Sequence, residues 1–226
     1  MSFGFEANFF RGLMEQVDVH PKLILVVGCG AGVEVAHLAE TTQAFVIGID
    51  LDVDAAWKRP GVQLLRADAQ CLPFREAAFD SVYCYHVLEH VPQPPVAISE
   101  ARRVLGKQGA GYFGTPNKSR FIGYLGGRAT TWEKVGWNLT DWGRRLRGRW
   151  SNEQGAHAGF TGAELSRLLA ASFSQVENVD LPYYRGKYPK LAGFWNTMFQ
   201  IGLARFLAPS VYFRTRGTAG RASGRA

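Results

Sequence analysis

The sequence predicts an α/β fold on a mostly parallel sheet, and three observations carry that prediction. Short apolar runs recur through the first half of the chain: LILVV (23–27), FVIGI (45–49), VQLLR (62–66), SVYCY (81–85) and the glycine-rich GAGYFG (109–114). Helical or loop segments separate them every 15–25 residues, the rhythm of strands joined by crossovers and covered on both faces. Glycine or aspartate stands at or just past the end of several runs, where such sheets turn. With 226 residues, 46% hydrophobic and 20% charged, the chain is long enough to bury a core as one domain with an elaboration.

The elements follow in order. Pro21 precedes the first strand, and the glycines at 28–32 end it in a tight turn. A helix is expected over Gly32–Glu40, where Val33, Ala36 and Leu38 mix with polar residues. Pro94-Pro95 opens a helix over Val96–Leu105 that Gly106 stops. Thr161-Gly162-Ala163-Glu164 has the spacing of a capping box, so a helix should run from there to about Ala171. Gln175–Asp180 and Ser210–Thr215 (SVYFRT) are the last strand candidates. Residues 217–226 are small and polar and read as a flexible tail.

The informative chemistry lies in Gly28-Cys29-Gly30-Ala31-Gly32. Glycines between a strand and a helix let backbone approach a ligand and set free helix-start N–H groups beside it. The spacing is G-x-G-x-G. Val33 replaces the third glycine of a dinucleotide fingerprint, which counts against a nicotinamide oxidoreductase as the third alternative, and no Lys-Ser/Thr follows, so the loop is not a phosphate-binding P-loop. Asp50 ends the second apolar run, where its carboxylate can accept both ribose hydroxyls of a nucleoside. Asp68 follows the third run and can accept from an exocyclic adenine amine, with the Ala69 N–H nearby. Carboxyl ends of neighbouring strands are where open α/β sheets bind ligands.

VVGCGAG, VIGID, RADAQCLPF, FDSVYCYHVLEHV and EARRVLGKQGAGYFGTPN resemble, in order, the motifs of the class I S-adenosylmethionine-dependent methyltransferases, most nearly the type 11 group with its quinone-biosynthesis members. The resemblance covers about 22–117 and resumes weakly at 157–173. It implies a Rossmann-like seven-stranded sheet in the order 3-2-1-4-5-7-6, with SVYFRT as an antiparallel strand seven, and S-adenosylmethionine as cofactor. Gly28, Cys29, Gly30 and Gly32 would meet its methionine part, Asp50 the ribose, Asp68 and Ala69 the adenine, and Tyr85 and His86 the sulfonium side. Two departures stand out. Val26 occupies the position, two before the first glycine, where the group usually has an acid, and the stretch between Asp50 and Val62 leaves room only for a stunted helix.

The sulfonium is an activated methyl donor, so alignment can supply most of the acceleration and no metal is expected. A base matters only if the acceptor must lose a proton. His86 and His157 are the candidates, neither assigned as catalytic. His90, in the alternating HVLEHV, reads as a packing residue, Tyr183-Tyr184, after the sixth strand, as packing residues by default that could otherwise shape a pocket, and Cys29 as a small loop residue with nothing to activate it. The competing functions are a binding protein of the same fold without catalysis and a methyltransferase acting on nucleic acid. No recognised nucleic-acid module is present, and no such partner is expected.

Charge divides the chain. Residues 1–117 balance at −4, 118–150 at +6 and 151–226 at +5. Four of the six tryptophans (Trp132, Trp137, Trp142, Trp150) fall in 118–150. Read as a helix from Thr131, Trp132, Val135, Leu139, Trp142 and Leu146 form one stripe, against which Gly136, Gly143 and Gly148 argue. Either a lid packed on the active site or a helix on an anionic membrane surface fits. Phe194–Leu207, also apolar, could complete an entrance for a small or lipid-like acceptor. The start of the chain lacks the pattern of a secretory leader, and no run reaches the ~20 apolar residues of a membrane span. Three cysteines make no disulfide framework. The expected place is therefore the cytoplasm, with membrane association open.

Overall fold

The computed structural model describes residues 3–54, 59–124, 129–153 and 156–217. Seven strands form one sheet: β1 (Leu23–Val27), β2 (Phe45–Asp50), β3 (Val62–Arg66), β4 (Phe79–Tyr85), β5 (Leu105–Pro116), β6 (Gln175–Asn178) and β7 (Ser210–Arg216). Their order is β3-β2-β1-β4-β5-β7-β6, as expected. The β1, β2, β3, β4 and β5 ladders are parallel, whereas β7 runs antiparallel to both β5 and β6.

β1 shows why its sequence has no polar alternation. Ile24 and Val26 enter one core and Leu25 and Val27 the other, so both faces are dry. On the first face pack α1 (Phe3–Glu15), α2 (Val33–Thr42), α6 (Asp180–Lys187) and Trp195 of α7 (Ala192–Gln200). On the second pack α3 (Pro94–Val104) and α5 (Gly162–Ala170). The predicted capping box holds: Thr161 Oγ1 accepts from the Glu164 N–H at 3.1 Å, and Glu164 accepts from the Thr161 N–H at 2.8 Å.

Several expectations need correction. The helix after Pro94 ends at Val104, and Gly106 does not stop it; Leu105 is already extended and opens a twelve-residue β5. The glycines of β5 answer to crowding. A Cβ on Gly114 would lie 2.8 Å from both Tyr85 and Tyr212, whose rings stack across it at 5.9 Å. The sixth strand stops at Asn178, because Asp180 enters α6, where its carboxylate takes the Tyr212 N–H. Tyr183 and Tyr184 are therefore core residues of a helix, the packing reading of the two that the sequence offered. α1, which no motif announced, lays Ala7, Phe10, Leu13 and Met14 on the sheet. Leu51–Asp54 is not helical, and the rest of the stunted helix (55–58), like the tail beyond Gly217, lies outside the described residues.

The insertion does form a helix, α4 (Thr131–Leu146), continuous through Gly136 and Gly143 and opened by a Thr130–Glu133 capping box. Its apolar stripe faces outward: Trp132 is 84% exposed, Leu139 67% and Leu146 85%. Of the stripe, Trp142 stacks on Phe121 and donates to its carbonyl; otherwise the helix is held by its polar side. Buried Asp141 meets Arg120 and the Tyr124 hydroxyl, Asn138 bonds the backbone of Gly123, and Arg145 donates to the carbonyls of Lys118 and Arg120. A lid closed over the protein by this stripe is not what the fold builds, since those polar anchors leave the stripe on the outside.

Candidate functional site

The glycine loop leaves β1 and bends over the end of β2. The N–H groups of Gly28 and Cys29 both reach the Ile49 carbonyl, at 2.8 and 2.9 Å. Gly28, Gly30 and Gly32 all have positive φ (73°, 48° and 77°), which side-chain-bearing residues seldom adopt. The first two glycines differ in their surroundings. A Cβ on Gly28 would lie 2.1 Å from Val87 Cγ2, so that glycine lets the β4 end close against the loop. A Cβ on Gly30 would meet nothing within 4 Å, so that glycine faces open space.

Asp50 stands beside that space. Its Oδ2 accepts from the Gly30 N–H at 2.8 Å and its Oδ1 from the Asp52 N–H at 3.3 Å. Two backbone donors thus hold a half-buried carboxylate, which keeps lone pairs for a ligand. The Ala67 N–H donates to the Asp50 carbonyl, so the run into Asp68 continues beside the end of β2. Asp68 is exposed and accepts from the Gln70 N–H at 2.8 Å; Ala69 is half-buried. Gln70 in turn accepts from the Gln93 N–H before α3. Cys29 is buried, and burial, with Asp50 nearby, pushes its thiol up to about 12, so it is no nucleophile at neutral pH.

Tyr85 and His86 end β4 next to Val87. The His86 ring lies 4.2 Å from that of Tyr85, and His86 has φ of 55°. Its Nδ1 is 3.4 Å from Glu89 Oε1 and its Nε2 is 3.3 Å from Ser210 Oγ. HVLEHV does not alternate in a strand: Leu88 and Glu89 are buried and His90 is exposed. His90 is therefore not a packing residue; its ring lies 4.6 Å from that of His157, also exposed and at positive φ. The structure thus brings the two candidate histidines into one neighbourhood only through His90.

Sequence reading missed three residues here. Ser210, from β7, carries no local signal. Glu89 carried one, the spacing His86-x-x-Glu89-His90, hidden by an apparent alternation. Glu34 lies in the first turn of α2, and its Oε1 accepts from the Tyr83 hydroxyl at 2.6 Å. Tyr83 pairs with Val26 across the β1–β4 ladder, so a carboxyl does stand beside the position where the acid is missing. Burial raises Glu34 to about 7, and Glu6 adds to the rise. Among the described residues no group of three or more His, Cys, Asp or Glu side chains could hold a metal ion.

Comparison with known proteins places the same stretch of chain beside methyltransferases. The family described as "Methyltransferase domain" matches residues 25–113. A fatty-acid O-methyltransferase of Mycolicibacterium smegmatis is 32% identical over 116 residues, 48% of this chain and 42% of that protein. A ubiquinone biosynthesis O-methyltransferase of Neisseria meningitidis is 29% identical over 112 residues, 45% of this chain and 47% of that one. The match thus spans a third to a half of the length of the curated relatives. Among solved structures, an S-adenosylmethionine-dependent methyltransferase from Mesorhizobium loti superposes with a TM-score of 0.56, covering 92% of this chain and 97% of that one at 18% identity, which speaks to the fold alone. The matched stretch, residues 25–113, carries the glycine loop, both aspartates and the β4 end.

Proposed function

We propose that this chain transfers the methyl group of S-adenosylmethionine to an oxygen of a small or lipid-like acceptor, and that it does so while resting on an anionic membrane surface. The observation that carries the first part is the Gly30–Asp50 contact beside open space, in a segment that matches the methyltransferase-domain family. Gly28, Gly30 and Gly32 let backbone N–H groups approach the methionine end without Cβ interference. Asp50, already oriented by Gly30 and Asp52, accepts the ribose hydroxyls. Asp68 and the Ala69 N–H meet the adenine edge, and Cys29 contributes a small side chain to the loop wall. Tyr85 and His86 border the reacting end. The cofactor, when bound, supplies an already activated methyl group, so what the chain must provide is alignment and exclusion of water. Relatives named for fatty-acid and ubiquinone-biosynthesis O-methylation support an apolar acceptor with a reactive oxygen.

The outward face of α4 supports the second part. Trp132, Leu139 and Leu146 are largely exposed, whereas Trp142 stacks on Phe121 and Trp137 packs against Tyr124, and Arg144, Arg147 and Arg149 line, with Leu139, an open groove of about 850 Å³ at the C-terminal end of that helix. A basic amphipathic helix with tryptophans is the pattern of an interfacial anchor, in which each Lys or Arg near anionic lipid contributes about 1 kcal/mol. No described helix is long and apolar enough to cross a membrane.

Isothermal titration with S-adenosylmethionine and S-adenosylhomocysteine tests the enzyme. Binding of both is expected, weakened at least about tenfold in Asp50→Asn, the loss of one charged hydrogen-bonding site. Absence of binding by either ligand to the unmodified chain would remove the proposal.

A further inference from the structure

Several buried ionisable groups outside the glycine loop have an evident structural job. Asp141, for example, anchors α4, and Glu6 bonds Tyr183 and Lys187. Glu89 does not. Its side chain is only 1% exposed, and its Oε2 is buried with no hydrogen-bond partner among the described residues. A carboxylate is seldom left in that state without a reason, because desolvating a charge is costly unless something cationic or hydrogen-bonding offsets it. What faces it is imidazole: His86 Nδ1 at 3.4 Å and His90 Nε2 at 3.9 Å from the same Oε1.

The two histidines are not equivalent. His90 is exposed and lies against the ring of His157. His86 sits at the very end of β4, one residue before the Val87 that closes on Gly28. Its backbone N–H is fixed to the Gly114 carbonyl at 2.8 Å, and its φ is positive, which is uncommon away from glycine. Its second ring nitrogen points to Ser210 Oγ, a hydroxyl that rotates freely enough to give up the contact.

We infer that His86 is the proton acceptor of the transfer and that Glu89 is its positioning residue. The inference rests on the proposed methyl transfer and deepens it by specifying the acceptor. Glu89 holds the proton of neutral His86 on Nδ1, which leaves the Nε2 lone pair free to receive one. A lone pair of the acceptor oxygen forms the new O–CH3 bond. The pair of the breaking C–S bond stays on sulfur. The hydroxyl proton passes to Nε2, and the imidazolium so formed is neutralised by Glu89 until it loses the proton to water. Such an arrangement serves an acceptor that still carries its proton, an alcohol or a phenol. A carboxylate acceptor has no proton to give and would approach the buried charge of Glu89. The product is therefore a methyl ether and not a methyl ester.

Two measurements test this. Nitrogen-15 NMR of the imidazoles in the whole chain, with or without S-adenosylhomocysteine, needs no acceptor. His86 is expected with its proton on Nδ1, the minor tautomer of free histidine; Glu89→Gln shifts it to Nε2, whereas Ser210→Ala leaves it on Nδ1. A proton on Nε2 in the unmodified chain, or a tautomer indifferent to Glu89→Gln, overturns the pair. Second, the chain is incubated with methyl-tritiated S-adenosylmethionine and a total bacterial lipid extract, and the labelled product is treated with mild alkali. Alkali-stable label is expected, falling about tenfold or more in Glu89→Gln while the dissociation constant for S-adenosylhomocysteine stays within about threefold. Alkali-labile label overturns the acceptor class. Failure of the unmodified chain to bind S-adenosylhomocysteine would instead strike the methyl-transfer reading, so the two failures are distinguishable.

Discussion

At the scale of single residues, two glycines of one loop separate fold from function. Gly28→Ala must place its Cβ 2.1 Å from Val87 Cγ2 on a backbone with φ of 73°. Overpacking and left-handed strain act together there, and stability should fall by about 2 kcal/mol or more in urea denaturation. Gly30→Ala has the strain without the clash, so about 1 kcal/mol is expected. Its new methyl group projects into the space beside Asp50. Cofactor affinity in Gly30→Ala should therefore drop at least about tenfold by titration calorimetry although the chain remains folded. If Gly30→Ala binds normally, the open side of that glycine is not the ligand side.

Buried carboxyls give a second residue-scale prediction. Burial raises Glu34 to about 7, and burial likewise raises Asp180 to about 7 against the opposing hydrogen bonds from Asn178 and the Tyr212 N–H. Each binds its proton more tightly in the fold than in the unfolded chain. The stability this confers is fully present below the ordinary carboxyl range, near pH 4, and is lost as pH rises through about 7. Glu34→Gln removes the ionisation and keeps an acceptor for Tyr83. Its stability relative to the unmodified chain should therefore rise between pH 5 and 8 by roughly 2 kcal/mol. A flat difference across that range would mean that Glu34 is solvated in the folded protein.

At the scale of elements, α4 is an amphipathic helix seated the other way round from those that build the core. Asp141 and Arg120 are both nearly buried, with 3.4 Å between Oδ2 and Nη2. Removing one partner strands the other charge, so Asp141→Ala should detach α4 at a cost of about 3 kcal/mol, seen as faster amide exchange and proteolysis in 118–150. The apolar side can be tested separately. Replacing Trp132, Leu139 and Leu146 by serine should leave the melting temperature unchanged and abolish flotation with vesicles containing phosphatidylglycerol, because each loses an exposed apolar side chain of the stripe. Equal flotation of both proteins would remove the membrane part of the proposed function. The helix itself was legible from the 3-4 spacing of its apolar residues, and Gly136 and Gly143 were weak objections because propensity gives way when side chains elsewhere anchor the element.

At the scale of the molecule, one sheet with two dry faces explains most of the chain. The strands and the order of their motifs were readable because a doubly covered sheet demands continuous apolar runs, and those runs end where Gly28, Asp50 and Asp68 stand. The first-face cover was not readable. α1, α6 and α7 are rich in aromatic residues whose partners lie far off in sequence, as when the Tyr183 ring stacks on Tyr212 at 3.8 Å and its hydroxyl donates to Glu6 at 2.6 Å. No local pattern marks such pairings.

By itself the sequence determined the α/β class, the glycine loop, the two strand-end aspartates and the capping box of α5, because each depends on neighbours within a few residues: a periodicity, a positive φ, a cap. Only the tertiary structure decided which way α4 presents its stripe, that Glu34 stands beside Val26 through Tyr83, and that β7 carries Ser210 to His86 opposite the buried Glu89. Those contacts join residues brought together by sheet order and by the desolvation of buried groups, and neither is encoded in any short stretch of chain.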